Sequence, residues 1–131
     1  MRLEVIPGNF AVCRLATPGE AGAVLGTASP VFLAATGDEI SLVCPSPAVP
    51  PQAAAVEGDW ALLKVAGPLD FGLTGVIAGL STSLAEAGIP VFVVSTYLTD
   101  YILVKANRLP TATEALQAAG HTVDTSSIEA V

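Results

Sequence analysis

Residues 67–104 read GPLDFGLTGVIAGLSTSLAEAGIPVFVVSTYLTDYILV, which is the pattern of one helix followed by two strands. Apolar side chains recur in this segment at the spacing of a single helix face, and they are Leu73, Val76, Ile77, Leu80 and Leu84. Asp70 is a suitable N-cap residue and Gly88 a suitable C-terminal stop, so the pattern predicts a helix over residues 71–88.

Strand-like runs lie on both sides of this helix. Residues 60–65, 91–95 and 101–105 are rich in β-branched and large apolar side chains, which favours strands. Further on, Thr111 and Glu114 have the spacing of a capping box, and they predict a helix over 111–119 that ends at Gly120. Residues 121–124 are predicted to form a last short strand, which completes a ferredoxin-like βαββαβ order.

The chain also repeats itself. Residues 8–20, GNFAVCRLATPGE, align with residues 58–70, GDWALLKVAGPLD, at a constant offset of 50. Residues 31–43 align with 91–104 at an offset of 60, and after one inserted residue Glu39 is matched with Asp100. The first repeat has room for a helix of at most two turns, and a Pro-rich segment stands where its second helix would be.

These patterns predict an α+β chain of two ferredoxin-like units in tandem, with side-by-side antiparallel sheets. The first unit, with truncated helices, is placed at residues 1–51, and the complete second unit at 52–124. Residues 125–131 are polar and are predicted to form a flexible tail.

Composition limits the classes of partner. The chain has 131 residues, 52% of them hydrophobic, and a net charge of −7, with only five Lys and Arg residues. Nucleic acid is an unfavourable partner for so acidic a chain, because phosphate contacts need clustered basic residues. No apolar run is long enough for a membrane span and the N-terminus is a poor secretory signal, so we expect a cytoplasmic protein without a membrane partner.

The segment from Gly67 to Val104 resembles ACT-domain proteins. Its Gly-Pro-Leu-Asp turn, Leu-Thr-Gly helix start, Leu-Ala-Glu-Ala-Gly-Ile helix end and Ser-Thr-Tyr-x-Thr-Asp hairpin are similar to small bacterial ACT proteins and to the ACT repeats of CASTOR-type arginine sensors. The resemblance implies tandem ACT units that bind an amino acid at a unit or subunit interface and catalyse nothing. Carried over from the sensors, Asp100 would contact a basic group, beside Thr96 and Tyr97.

Thr99 departs from the sensor pattern, in which an aromatic residue stands at that position, so the ligand need not be arginine. The predicted ligand-binding residues are Gly72, Leu73, Thr74, Gly75, Val76, Thr96, Tyr97, Thr99 and Asp100. Two alternatives stay open: the two glycines could serve close helix–sheet packing alone, and Asp100 could simply end a tight turn. The functional interpretation is that the helix start binds a carboxylate through its amide groups and that Asp100 binds a cation.

No catalytic, cofactor or metal site is predicted. His121 is the only histidine and has no visible nucleophile or acid partner, and Cys13 and Cys44 lie too far apart in sequence for a metal or redox motif. A ligand-binding regulatory module, expected to be a homodimer, is therefore the leading hypothesis. There are two alternatives, because a fold does not fix a function. One is a scaffold that dimerises without a ligand, and the other is an enzyme.

Overall fold

The computed structural model describes residues 1–70, 72 and 74–129. Its strands are β1 Arg2–Arg14, β2 Phe32–Ala35, β3 Ile40–Pro45, β4 Ala55–Val65, β5 Phe92–Ser95, β6 Asp100–Lys105 and β7 Thr122–Asp124. Its α-helices are α1 Gly19–Leu25, α2 Val76–Glu86, α3 Leu109–Ala118 and α4 Ser126–Glu129. Short 3₁₀ turns, Ser46–Ala48 and Ala106–Arg108, follow β3 and β6.

The chain divides into two compact units, which we call the N-terminal unit (Gly8–Trp60) and the C-terminal unit (Met1–Pro7 with Ala61–Val131). This division differs from the boundary predicted at residues 51 and 52. The reason is that the long strands β1 and β4 each contribute one end to each unit. The first seven residues thereby belong to the C-terminal unit, where the sequence repeat does not place them.

In the C-terminal unit the strands lie in the order β5, β6, β4, β1, β7. β5 and β6 form an antiparallel hairpin, whereas β7 runs parallel to the start of β1, with Leu3 opposite Val123. An ion pair of 2.8 Å between the Arg2 guanidinium and the Asp124 carboxylate lies beside this pairing. The last strand thus pairs with the first strand of the whole chain, which a self-contained unit at 52–124 does not predict.

The core of the C-terminal unit lies between this sheet and helices α2 and α3. In β1 the buried Leu3 and Val5 alternate with less buried neighbours, which turns one face inward, as expected for a strand that is covered on one side. The helices contribute buried residues at helical spacing, and the cluster includes Leu80, Leu84, Ala112 and Leu116. The burial of these apolar side chains holds α2 and α3 against the sheet.

The N-terminal unit has a smaller core. β3 pairs antiparallel with both β1 and β2, and the seven-residue α1 supplies Ala21 and Val24 to a cluster with the two cysteines. Its short helix agrees with the predicted limit of two turns. After β3 the Pro-rich segment makes only a 3₁₀ turn at Ser46–Ala48 and no second α-helix, as the sequence predicts.

The two β-hairpins share one register. β2 and β3 pair Phe32 with Val43 and Ala35 with Ile40, and β5 and β6 pair Phe92 with Leu103 and Ser95 with Asp100, so a constant offset of 60 relates them. The one-residue insertion predicted from the sequence is therefore wrong. Because the loops are equally long, Asp100 corresponds to Ile40, and Glu39 corresponds to Thr99.

Helix boundaries differ from prediction at two N-termini. Helix α2 begins at Val76 rather than near residue 71, because Gly75 takes a left-handed conformation (φ 80°) that no helix contains. Helix α3 begins at Leu109 with Pro110 in its first turn, and the predicted capping box at Thr111 is wrong because no side chain caps this helix. Both predicted C-terminal stops are confirmed, since Gly88 and Gly120 have positive φ.

The predicted flexible tail contains the single-turn helix α4. The Ser126 amide donates to the Asp124 carboxylate at 2.9 Å, and the Ser127 hydroxyl donates to the Val5 carbonyl. These bonds attach the start of the tail to the strands of the C-terminal unit. Within the part of the chain that the structure describes, no helix is both long enough and apolar enough to cross a membrane.

Candidate functional site

A cavity of about 410 Å³ lies in the C-terminal unit between the start of α2 and the β5–β6 hairpin. Its volume falls within the range of sites that hold small molecules. The described residues that line it are Leu69, Asp70, Gly75, Val76, Ile77, Ala78, Ser95, Thr96, Tyr97, Leu98, Thr99 and Asp100. The fold therefore brings the two halves of the predicted site, which lie about 20 residues apart in sequence, to one place.

The helix side of the cavity offers backbone donors. The first intrahelical bond of α2 runs from the Gly79 amide to the Gly75 carbonyl (2.9 Å), so the amides of Val76, Ile77 and Ala78 have no intrahelical acceptor. No side chain caps this end of the helix. These amides and the helix dipole give that wall a partial positive charge, which suits a carboxylate.

The opposite wall is the loop of the β5–β6 hairpin, residues 96–99. The Thr96 amide donates to the Thr99 carbonyl at 2.9 Å, and the Thr96 hydroxyl donates to the same carbonyl at 3.1 Å. Thr99 is only 4% exposed, and its hydroxyl donates to the Val65 carbonyl at 2.6 Å. Thr99 thus fixes the loop on the end of β4, and its hydroxyl proton is already used within the fold.

Two carboxylates line the cavity, and they are its only charged side chains among the described residues. Asp100 is half-buried at the start of β6, opposite Ser95. Asp70 is exposed, and its Oδ1 accepts the Gly72 amide at 2.7 Å, which leaves Oδ2 for other contacts. A cationic group is therefore the favoured partner for this part of the cavity.

The predicted site residues divide into three groups. Gly75, Val76, Thr96, Tyr97, Thr99 and Asp100 line the cavity. Gly72 and Thr74 are not among its described lining residues, and the Gly72 amide is bonded to Asp70. Leu73 lies outside the described residues.

Sequence reasoning missed the lining roles of several residues, Asp70 above all. Asp70 was assigned as a helix N-cap, but α2 begins six residues later and the carboxylate closes a turn to Gly72 instead. The sequence signal that could have indicated this role is the position of Asp70 in the Gly-Pro-Leu-Asp motif that resembles ACT-domain proteins. Leu69, Ile77, Ala78, Ser95 and Leu98 were also missed.

The tip of the hairpin loop is unusually apolar. Tyr97 is 79% exposed and Leu98 is 60% exposed, and both line the cavity. The matching loop in the N-terminal unit has the same length and the same closing threonine, but Gly37 and Asp38 stand at its tip. Since a polar tip is sufficient for this hairpin, loop geometry does not explain Tyr97 and Leu98.

His121 lies outside this cavity. Its Nδ1 is 3.1 Å from the Met1 ammonium nitrogen. Burial lowers the pKa of His121 from its usual 6.5, and the nearby N-terminal charge lowers it further. No cluster of metal-ligating side chains occurs among the residues that the structure describes.

We expect His121→Gln to flatten the pH dependence of stability between about pH 7 and pH 5. Because the folded pKa lies below the unfolded one, the unfolded chain takes up the proton first as the pH falls. The stabilisation is therefore complete above about pH 6.5 and is lost as the pH falls through the folded pKa. Urea unfolding at pH 7, 6 and 5 measures this, and identical pH profiles for the wild type and the variant would contradict it.

The two cysteines lie together in the N-terminal unit. Cys13 and Cys44 are on adjacent paired strands, both are free thiols, and they are 2% and 0% exposed. Burial, followed by the neighbouring Cys13, raises the pKa of Cys44 to about 11. Burial also raises the pKa of Cys13, so both thiols are held in the protonated form.

Both thiols should therefore resist a thiol reagent such as Ellman's reagent at pH 8 while the protein is folded, since the thiolate is the reactive form. Both should react promptly in concentrated urea, and that reaction serves as the control for reagent and thiol content. Rapid release of the chromophore from the native protein would show that the cluster opens.

Comparison with known proteins identifies the family. The sequence matches the ACT-domain model over residues 55–118, and no curated protein sequence matches. Among solved structures, protein Atu0741 from Agobacterium tumefaciens has a TM-score of 0.80 and 32% identity, covering 93% of this chain and 90% of its own.

Two more distant structures share the fold. The Vibrio cholerae protein VC0802, of unknown function, has a TM-score of 0.67 at 20% identity, with 90% of this chain and 88% of its own covered. The ligand-free regulatory subunit of aspartate kinase from Thermus thermophilus has a TM-score of 0.64 at 12% identity, with 90% and 96% covered. The chain carries an ACT domain over residues 55–118 and belongs to the same family as Atu0741.

Proposed function

We propose that this protein is a non-catalytic regulatory module that binds an amino acid in the cavity of its C-terminal unit. The observation that carries the proposal is the pairing, in one cavity, of the open amides at the start of α2 with the carboxylates of Asp70 and Asp100. One wall suits an anion and the other suits a cation. A free amino acid carries both groups within a few ångströms.

Both ends are needed for useful affinity. An exposed ion pair contributes only about 0–1 kcal/mol, whereas hydrogen bonds to charged groups contribute about 1.5–3 kcal/mol once water is excluded. Leu69, Ile77 and Leu98 supply apolar surface that can shield these bonds. The cavity is lined by two carboxylates, whereas a simple amino acid has one α-ammonium group, so a ligand with a second cationic group is favoured.

A regulatory role is supported by the structural likeness to the aspartate kinase subunit from Thermus thermophilus, which is a regulatory subunit. Such a module acts when the ligand binds, by altering the association of its own subunits or the activity of a partner. We propose that the protein is a cytoplasmic homodimer in which each chain contains two tandem ACT-like units. The similar registers of the two hairpins support the tandem interpretation. The ligand, the dimer and the tandem arrangement are all open to direct test.

The direct test is a thermal-shift screen of the purified protein against the twenty amino acids, followed by titration calorimetry. A ligand present at 100 times its dissociation constant stabilises the folded state by about 2.7 kcal/mol. We expect at least one amino acid to raise the melting temperature in a concentration-dependent way. No shift with any of them would remove the sensor proposal and favour the ligand-free scaffold.

Asp100→Asn should weaken a ligand found in this way by about 10–150-fold, the equivalent of the 1.5–3 kcal/mol of a charged hydrogen bond. Asparagine keeps the shape of the side chain, so the melting temperature without ligand should stay unchanged. Asp38→Asn, which removes the same charge from the exposed tip of the other hairpin, is the matched control. Equal affinity of the Asp100 variant and the wild type would exclude Asp100 from the site.

A further inference from the structure

The N-terminal unit contains a second cavity, of about 470 Å³, between α1 and the Pro-rich segment after β3. In the C-terminal unit the chain after the matching strand forms α3, whose Ala112 and Leu116 are buried against the sheet. In the N-terminal unit the prolines prevent such a helix, and Ala48, Val49 and Ala53 of this segment cover the core in part. The cavity lies where this thinner covering meets α1.

The lining of the second cavity is mostly apolar. Its residues are Glu20, Ala23, Val24, Thr27, Pro47, Ala48, Val49, Pro50, Pro51 and Gln52. All of them belong to the N-terminal unit, so the cavity is separate from the one that Asp100 lines. Glu20 is the one charged side chain among them, and no described lining residue is cationic.

The carboxylate of Glu20 is only half satisfied. Its Oε1 accepts the amides of Ala16 (2.8 Å) and Thr17 (3.0 Å), which holds the turn before α1. Its Oε2 is buried and has no hydrogen-bond partner in the described structure. A buried acceptor without a partner destabilises the fold, and an ionised one does so most strongly.

We infer that the second cavity binds a small molecule with an aliphatic body and a primary ammonium group, the ammonium pairing with the Glu20 carboxylate. The apolar walls of Val24, Val49 and Pro50 favour the hydrocarbon body. The ammonium compensates the charge of the Glu20 carboxylate, which no cationic side chain among the described lining residues does. An anion of the same size would meet the Glu20 carboxylate without any compensating cation.

Hexylammonium and hexanoate are suitable probes, because they share one chain length and differ in charge. Titration of each at about 150 mM salt, a concentration that screens surface charges, is followed by amide chemical shifts in two-dimensional NMR. We expect saturable shifts for hexylammonium at Val24, Thr27 and Val49. We expect hexanoate to bind at least tenfold more weakly.

Two variants test the residue and the space. Glu20→Gln keeps an oxygen for Ala16 and Thr17 but replaces the free oxygen by a donor, and it should weaken hexylammonium at least tenfold. Ala23→Leu adds a side chain to the cavity wall and should also weaken binding, while Gly22→Ala, on the same helix but not in the lining, should not. If Glu20→Gln fails to fold, Ala23→Leu still tests the site.

Asp100→Asn separates this site from the proposed amino acid site. Unchanged hexylammonium affinity in that variant supports a second site, whereas a loss would place the probe in the first cavity and overturn the inference. Equal affinity for hexanoate, unchanged affinity in both Glu20→Gln and Ala23→Leu, or no saturable binding would overturn it as well. None of these outcomes affects the amino acid screen.

Discussion

Replacing Leu84 by alanine is expected to lower the free energy of unfolding by about 2.7–5 kcal/mol, the range measured for fully buried leucines. Leu84 lies on the inner face of α2, has no exposed surface, and packs in the core cluster of the C-terminal unit with Leu80 and Leu116. The sheet and the second helix confine the space around it, so the cavity left by the missing side chain will collapse only in part. Urea unfolding followed by circular dichroism measures the loss.

Leu25→Ala is the matched control, because it makes the same change near the end of a helix at a side chain that is largely exposed. We expect it to change the free energy of unfolding by less than about 0.5 kcal/mol, as surface substitutions usually do. Similar losses for the two variants would mean that α2 is not fixed on the sheet as described. The start of that helix would then be a poor platform for any ligand.

The second large effect is expected from Thr99→Val, which should cost about 1–3 kcal/mol of stability. Valine fills the same volume but cannot donate to the Val65 carbonyl, and a buried carbonyl without its partner keeps its full desolvation penalty. The Gly67 backbone lies close to this side chain, since a Cβ added to Gly67 would come to 3.0 Å from Thr99 Cβ. Thermal and urea unfolding of the variant measure the cost.

Thr99→Ser is the control, because it keeps the hydroxyl and removes only a methyl group. We expect it to lose less stability than Thr99→Val, which reverses the order that apolar burial alone predicts. The hydrogen bond also positions the loop that forms one wall of the first cavity, so Thr99→Val should weaken ligand binding even though the variant folds. A serine variant less stable than the valine variant would refute the assigned role of the hydroxyl.

The element order was predictable from sequence because it depends on local periodicity. The apolar spacing from Val76 to Leu84 and the glycine stop at Gly88 are properties of neighbouring residues, and both appear in the structure. The start of α2 was not predictable in the same way. Asp70 is a good N-cap by type, and only the left-handed backbone at Gly75 reveals that the helix begins later.

Non-local features were harder to predict. The parallel pairing of β7 with β1 joins residues about 120 positions apart, and no periodicity encodes it. Hairpin register was misassigned because acidic residues at 39 and 100 were matched by type, whereas the pairing fixes Ile40 opposite Ala35 and Asp100 opposite Ser95. Half of the described lining residues were predicted, those at the helix start from its amide groups and those of the hairpin from the family resemblance, but the contribution of Asp70 required coordinates.

Because the two hairpins have the same register, the side chains at the loop tip can differ without any change in strand pairing. Each loop is closed by a threonine whose hydroxyl donates to the carbonyl three residues further on, Thr36 to Glu39 and Thr96 to Thr99. The two residues between them are therefore under little conformational demand. The same loop conformation thus accommodates Gly37 and Asp38 in one hairpin and Tyr97 and Leu98 in the other. Substitutions at Tyr97 and Leu98 can therefore change the rim of the cavity without altering strand pairing, so the lining of the cavity can vary in evolution while the fold stays the same.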